Sequence, residues 1–262
     1  GPAIFPIVKD LGIKGIQIDD WGSYAQSFPM SNRYIQKLYT DEAKKCDIKI
    51  TSLGCNDFAR QGGFVNRLGT PEGDISVSAL LTNLKICEDM NIPLVMFPCF
   101  WKGFLNTEDD IENAAKMLRS VCKYYDDTPV NIAIETILSP VKIKEILNYV
   151  GADSLKIYYD TQNTQYFANA YPPGELKALD IRDISEIHFK DGLKNQQACC
   201  PLGTGETFFR ETICVLKKKG YDGWCVIENY YMRPTWLGET KDPYKSIEAD
   251  VKRLRESFSS VE

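Results

Sequence analysis

Short apolar runs alternate with longer amphipathic segments along the whole chain. The longer segments carry apolar residues at three- and four-residue steps, which is typical of helices that bury one face. Residues 78–87, 111–124, 141–150 and 208–219 show this spacing most clearly. The short runs have the length of buried β-strands, and they comprise residues 15–19, 48–53, 94–97, 130–136, 155–160, 186–191 and 224–229.

Strands that alternate with helices pair in parallel through right-handed crossovers. We therefore predict an α/β fold, a (β/α)8 TIM barrel, whose first strand is missing from the numbered chain. Only seven strand-like runs are present, and residues 4–11 have the pattern of a helix that leads into the first. An irregularly closed barrel remains an alternative. An open Rossmann-type sheet has less support, because no Gly-x-Gly-x-x-Gly follows the first run.

Composition narrows the class of protein. The 262 residues are 44% hydrophobic and show no linker or low-complexity tract, so we predict one domain over residues 1–262. A net charge of −5 argues against a nucleic-acid surface. No apolar run approaches the roughly 20 residues that span a membrane. Nine scattered cysteines without a Cys-x-x-Cys spacing, and a start that lacks a secretory pattern, favour a cytoplasmic protein.

Four strand-like runs end in a side chain that can bind a metal. Glu135, Asp160, His188 and Glu228 lie at or near the ends of these runs. In a parallel barrel the active site lies at this end of the strands. Three carboxylates packed together repel one another unless a cation is present. The sequence therefore predicts a site for one divalent metal, and the mixed oxygen and nitrogen set suits Mn²⁺, which we expect, or Co²⁺, Mg²⁺ or Zn²⁺.

Each of these residues also has a simpler explanation. Asp160, which precedes Thr-Gln-Asn, has the sequence context of a helix N-cap. A single histidine in a strand is more often a hydrogen-bonded core residue than a metal ligand. The metal hypothesis therefore depends on all four residues occurring on successive strands.

The order and spacing of several motifs resemble the xylose-isomerase-like TIM barrels, which include ketose 3-epimerases and inosose dehydratases. The motifs are residues 12–19, 134–135, 159–161, 187–191, 202–206 and 220–228. In that family the positions that match Glu135, Asp160, His188 and Glu228 bind a divalent metal, and the two glutamates often act as the acid–base pair. The resemblance implies a metal-dependent sugar or polyol epimerase or isomerase that abstracts a proton next to a carbonyl.

The chain departs from the family in its histidine content. His188 is the only histidine, so the residues after Asp160 would have to contact substrate through Gln162 or Asn163 instead. One histidine also excludes the three-zinc site of the related DNA-repair endonuclease. Further candidate substrate contacts are Lys190, Trp101 and Arg210. Lys190 could instead form an ion pair at the surface, and Arg210 could instead be exposed without contacting substrate.

Two other functions remain open. A lyase, such as an inosose-type dehydratase or a C-glycoside-cleaving subunit with a small partner, would use the same proton abstraction. A non-catalytic barrel that binds a ligand would need no metal. We expect a small carbohydrate as substrate, a homo-oligomer, and neither a nucleic acid nor a membrane as partner.

Overall fold

The computed structural model describes residues 1–20, 29–125 and 128–260. Parallel strands lie in one sheet in the order of the sequence, β1 to β7. The strands are β1 (Gly15–Asp19), β2 (Lys49–Gly54), β3 (Leu94–Pro98), β4 (Asn131–Glu135), β5 (Leu155–Asp160), β6 (Ile184–Phe189) and β7 (Trp224–Ile227). All seven runs that the sequence predicts as strands are therefore strands, and their bounds differ from the predicted ones by at most two residues.

Helices fill the segments between the strands. They are α1 (Ile4–Asp10), α2 (Arg33–Cys46), α3 (Asn56–Arg60), α4 (Pro71–Met90), α5 (Glu108–Tyr124), α6 (Pro140–Val150), α7 (Asn163–Ala168), α8 (Pro172–Ala178), α9 (Phe209–Lys218) and α10 (Pro243–Ser259). Local signals set their starts: Thr107 and Asp110 form a reciprocal capping box on α5. None of the helices in the described ranges is both long and apolar enough to cross a membrane.

The chain divides into two compact units. The first comprises Gly1–Lys9 and Lys14–Tyr158, and the second comprises Asp10–Ile13 and Tyr159–Glu262. The boundary falls inside β5, so this strand contributes residues to both units. The single domain expected from the sequence stays a prediction.

An aromatic cluster packs the first unit. Phe58, Phe64 and Phe97 meet edge to face, with ring centroids 4.9 to 6.2 Å apart. All five residues of β3 are buried, which explains why this strand is a continuous apolar run rather than an alternating one.

In the second unit Phe189 packs between helices. Its ring lies 5.9 Å from that of Phe209 on α9 and 6.4 Å from that of Phe258 on α10. Phe189 is the last residue of β6 and follows His188 directly. Its burial therefore fixes the end of the strand that carries the histidine.

Candidate metal centre and active site

The four predicted ligands occupy the carboxyl ends of successive strands. Glu135 is the last residue of β4 and Asp160 is the last of β5. His188 is the penultimate residue of β6, and Glu228 follows β7 directly. The pairing of β6 with β7 continues through Glu228, whose amide donates to the carbonyl of Phe189 at 3.0 Å. Parallel pairing thus places these side chains at the edge where TIM barrels carry their active sites.

His188 lies against two carboxylates. Its Nδ1 is 3.0 Å from Oε2 of Glu228 and 3.8 Å from Oδ2 of Asp160. The side chains of His188 and Asp160 are almost fully buried, whereas 39% of the Glu228 side chain is exposed. The exposed side of Glu228 leaves this group accessible to a small molecule.

Asp160 uses its two oxygens for different purposes. Oδ1 accepts hydrogen bonds from the amides of Gln162 at 2.8 Å and of Asn163 at 2.7 Å. These are the bonds of the N-cap that the sequence suggests, although they reach the N-cap residue Gln162 and the first residue of α7 from two residues before the N-cap position. Oδ2 instead faces His188, so the capping bonds orient the carboxylate and leave its second oxygen for the site.

Lys190 is buried among the same groups. Its Nζ lies 2.9 Å from Oδ2 of Asp160 and 2.7 Å from Oε2 of Glu228. The side chain of Lys190 is 4% exposed, so the surface ion pair considered from the sequence does not occur. The ammonium instead balances charge inside the site.

The donor set fits a divalent cation. Four candidate ligand atoms lie within 4.8 Å of one another, and they belong to Glu135, Asp160, His188 and Glu228. The buried Oδ2 of Asp160 and Oε2 of Glu228 face the charged or ionisable groups Lys190 and His188 rather than a neutral hydrogen-bond donor. One ammonium does not neutralise three carboxylates, so coordination of a divalent cation would lower the cost of packing them together. Oxygen ligands with one imidazole suit Mn²⁺, Mg²⁺, Co²⁺ or Zn²⁺.

Asp191 anchors the loop that follows β6. Its Oδ2 accepts from the amides of Gly203 and Gly205, at 2.6 and 3.1 Å. Its Oδ1 accepts from the amide of Gly192 and the hydroxyl of Thr207, both at 2.9 Å. Burial raises the pKa of the carboxyl, and these hydrogen bonds act in the opposite direction. A Cβ on Gly205 would overlap Oδ1 of Asp191, which explains the glycine at this position.

A second buried network holds the segment that carries Glu228. Asn229 accepts from the amide of Asp191 at 3.0 Å and donates to Oδ2 of Asp250 at 2.9 Å. Asp250 also accepts from the hydroxyl of Tyr231 and the amide of Leu202, both at 2.9 Å. Asn229 therefore ties the chain next to Glu228 to the chain next to Lys190. Sequence patterns missed this network, although Asp191 and Asn229 directly follow candidate site residues.

Replacement of Asp191 with alanine is expected to lower the free energy of unfolding by about 3–5 kcal/mol. Four donors lose their acceptor, and those of Gly192 and Thr207 are buried. A buried donor without a partner costs about 1–3 kcal/mol before the loop relaxes. Urea unfolding followed by circular dichroism measures the change. Asp222→Ala, at an exposed position, is the matched control and should stay within about 0.5 kcal/mol of the wild type. A loss below 1 kcal/mol for Asp191→Ala would show that the loop does not depend on this carboxylate.

The other three residues predicted to contact substrate, Gln162, Trp101 and Arg210, each have different surroundings. Gln162 is buried, accepts from the amide of Ala198 at 2.7 Å, and directs its Nε2 towards loop carbonyls. Trp101 is 50% exposed, with φ of 52°, and lies 4.8 Å from the guanidinium of Arg60. Arg210 is exposed on α9. Substrate contact by these residues stays a prediction.

The side chain of Asn163 contacts a charged group of the site. Its Oδ1 accepts from Nε2 of Gln197 at 2.7 Å and is 3.4 Å from Nζ of Lys190. The sequence left the choice between Gln162 and Asn163 open. The structure places the amide of Asn163 beside Lys190 and uses that of Gln162 to hold the loop.

Comparison with known proteins agrees with this architecture. The model of the family described as "Xylose isomerase-like TIM barrel" matches residues 5–257. A curated relative, 2-epi-5-epi-valiolone 7-phosphate 2-epimerase of Actinoplanes sp., is 23% identical over 220 residues, which are 83% of this chain and 77% of the relative. The predicted TIM-barrel fold class is thereby confirmed, whereas the strand expected before residue 1 stays a prediction.

Two solved structures share the fold. D-psicose 3-epimerase from Clostridium cellulolyticum H10, solved with D-tagatose, has a TM-score of 0.80 and 15% identity, covering 99% of this chain and 94% of that one. The IOLI protein, solved with a zinc atom, has a TM-score of 0.77 and 15% identity, again covering 99% and 94%. At such identities the likeness concerns the fold. The named epimerases among these proteins support the prediction of an enzyme.

Proposed function

The chain belongs to the xylose isomerase-like TIM barrel family, and on that basis we propose that it is a divalent-metal-dependent epimerase or isomerase of a sugar or polyol. The convergence of Glu135, Asp160, His188 and Glu228 carries this proposal. The curated relative, an epimerase that acts on a phosphorylated cyclitol derivative by its name, supports the reaction class. The ketose epimerase with the same fold supports a carbohydrate substrate.

Glu135 and Glu228 are the proposed acid–base pair. The two carboxylates end different strands, so one removes the proton from the carbon next to the carbonyl and the other returns a proton to that carbon. The accessible side of Glu228 allows substrate to reach it. The hydrogen bonds from the amides of Gln162 and Asn163 hold Asp160 in position. His188 is held by the burial of the end of β6. We propose that Lys190 and Asn163 bind substrate oxygens.

A divalent cation at this site would act as a Lewis acid and stabilise the negative charge that develops on the carbonyl oxygen during proton removal. We propose Mn²⁺, since it accepts both carboxylate and imidazole ligands. Co²⁺, Mg²⁺ and Zn²⁺ are the alternatives, and the IOLI protein, which shares the fold, was solved with a zinc atom. Elemental analysis of protein purified without chelator identifies the resident ion.

Proton exchange with solvent tests the proposed reaction. The protein with Mn²⁺ is incubated in D₂O with a panel of ketoses and inososes, and the purified products are examined by NMR. Epimerisation or isomerisation through the glutamate pair incorporates deuterium from solvent at the carbon next to the carbonyl. A dehydrated product without an epimer would assign the site to a lyase instead. No exchange on any compound would contradict the proposed function.

Replacement of Lys190 with methionine is expected to tighten Mn²⁺ binding about tenfold or more. The ammonium lies against Oδ2 of Asp160 and Oε2 of Glu228, so it competes with a cation for both oxygens. Isothermal titration calorimetry measures the affinity. Lys218→Met, which removes an exposed lysine from α9, is the control. Unchanged or weaker binding to Lys190→Met would show that the lysine supports the metal site rather than competing with it.

We also propose a cytoplasmic location and retain the homo-oligomer as a prediction. The nine cysteines are free thiols, and seven of them are buried. Burial raises the pKa of Cys200 and Cys225 to about 12, which keeps these thiols protonated and unreactive. Buried, unreactive thiols suit a reducing compartment.

A further inference from the structure

A cavity of about 730 Å³ lies in the second unit, where α7, the residue before α8 and the start of α9 meet the loop at residues 203–206. This volume falls within the range of small-molecule sites, roughly 300–1,000 Å³. The lining combines aromatic rings, side-chain amides and charged groups. The residues that matter for its chemistry are Tyr171, Phe208, Gln165, Glu206 and Glu211.

Two exposed aromatic rings form one wall of this cavity. Tyr171 is 46% exposed and Phe208 is 39% exposed, and their ring centroids lie 5.0 Å apart at an interplanar angle of 89°. Phe208 has φ of 58°, in the left-handed region that residues other than glycine, asparagine and aspartate rarely adopt. A bulky apolar side chain that is both strained and exposed points to a functional role, because neither feature favours the folded state.

Hydrogen bonds fix the walls of the cavity. The hydroxyl of Tyr171 donates to Oε2 of Glu211 at 2.5 Å. Gln165 donates from Nε2 to the carbonyl of Glu206 at 2.9 Å, and the Glu206 carboxylate accepts from the amide of Lys194 at 2.7 Å. The aromatic wall is therefore held in place before any ligand arrives, which reduces the entropic cost of binding.

The charges indicate an uncharged ligand. Lys194 and Arg210 contribute two positive groups to the lining, and Glu206 and Glu211 contribute two negative ones. A phosphate group would meet the two carboxylates as well as the two cations. An uncharged ring can instead pack its face on Tyr171 and Phe208 and use the amides and carboxylates for hydrogen bonds.

The cavity is built on the segments that follow two of the proposed metal ligands, Asp160 and His188. Gln165 lies on α7, and Asp160 accepts a hydrogen bond from the amide of Gln162 at the start of that helix. Gly203 and Gly205 line the cavity and donate to Asp191, three residues after His188. We propose that this cavity binds a second, uncharged ring that is attached to the sugar on which the enzyme acts. This inference rests on the proposed function and makes the substrate a glycoside or an oligosaccharide rather than a free monosaccharide.

Binding of matched glycosides tests the inference. Phenyl and methyl β-D-glucopyranosides and β-D-galactopyranosides are titrated against Mg²⁺-loaded protein by saturation-transfer difference NMR. We expect at least one phenyl glycoside to bind about fivefold or more tightly than its methyl counterpart. Tyr171→Ala should remove that advantage. Tyr171→Phe, which keeps the ring, and Tyr124→Ala, at an exposed tyrosine outside the cavity lining, should retain it.

Two results would overturn the inference. One is equal binding of both members of every pair; the other is a phenyl advantage that survives both Tyr171→Ala and Phe208→Ala. Displacement of a bound phenyl glycoside by inorganic phosphate at low millimolar concentration would also overturn it, in favour of a phosphate site. The same comparison of phenyl and methyl glycoside binding in Glu228→Gln separates this inference from the proposed function, because Glu228 does not line the cavity. The phenyl advantage should persist there even though proton exchange is lost.

Discussion

Replacement of Glu228 with glutamine is expected to lower kcat for epimerisation about 10³-fold. Glutamine keeps the size of the side chain and one neutral oxygen, but it cannot accept and return a proton. Loss of a general acid–base group costs roughly 10²–10⁴-fold in rate. The carboxylate also contributes an oxygen to the four-residue metal group, so the metal will bind more weakly. Initial rates at saturating Mn²⁺ separate the two effects, because added metal restores binding and not proton transfer.

Glu239→Gln provides the matched control for this variant. Glu239 is an exposed glutamate eleven residues further along the chain, so its replacement should leave both rate and metal affinity unchanged. Circular dichroism and thermal unfolding of both variants exclude a general loss of structure. A Glu228→Gln enzyme within about threefold of the wild-type kcat would remove Glu228 from the proton-transfer step.

Saturation with Mn²⁺ is expected to raise Tm by about 8–16 °C and to restore activity that a chelator has abolished. A ligand that binds only the folded state at 1,000 times its Kd stabilises it by about 4.1 kcal/mol. For a protein of this size, each kcal/mol raises Tm by roughly 2–4 °C. The physical source is the group of three carboxylates beside His188, whose mutual repulsion the cation relieves. Differential scanning fluorimetry with and without Mn²⁺ measures the shift.

His188→Gln tests whether this stabilisation depends on the proposed site. Glutamine fits the buried position but lacks the imidazole nitrogen, so most of the Mn²⁺-dependent rise in Tm should disappear. A rise of equal size in the variant would mean that the ion binds elsewhere. No rise in the wild-type protein would mean that the four side chains hold no divalent ion.

The sequence predicted the fold and the strand ends well because both depend on local patterns. Each strand is a short apolar run, and the side chain at its carboxyl end is fixed once the strand is known. Glu135 and Asp160 are the last residues of their strands, as the sequence implied. Parallel pairing in chain order then places successive strand ends side by side.

The surroundings of the ligands were harder to predict because they depend on loops that are distant in sequence. The contacts of Lys190 join residues 30 and 38 positions away. The side chain of Gln162 forms its hydrogen bonds with the loop backbone at residues 193–198, and no local sequence pattern indicates these contacts. The sequence offers a capping and a metal-binding interpretation of Asp160, and its two oxygens are compatible with both.

The aromatic pair in the cavity shows the same limit, because the sequence does not indicate which rings meet. The pairing of Tyr171 with Phe208 joins residues 37 positions apart, at the starts of two different helices. Only the fold brings them to one cavity.

Anomalous diffraction from a crystal grown with Mn²⁺ tests the central claim most directly. We predict one strong peak with Glu135, Asp160, His188 and Glu228 as ligands, at roughly 2.0–2.4 Å from their oxygen and nitrogen atoms. The ammonium of Lys190 should then have moved away from at least one of the two carboxylates. A peak at another position, or ordered crystals that show none at this one, would contradict the account.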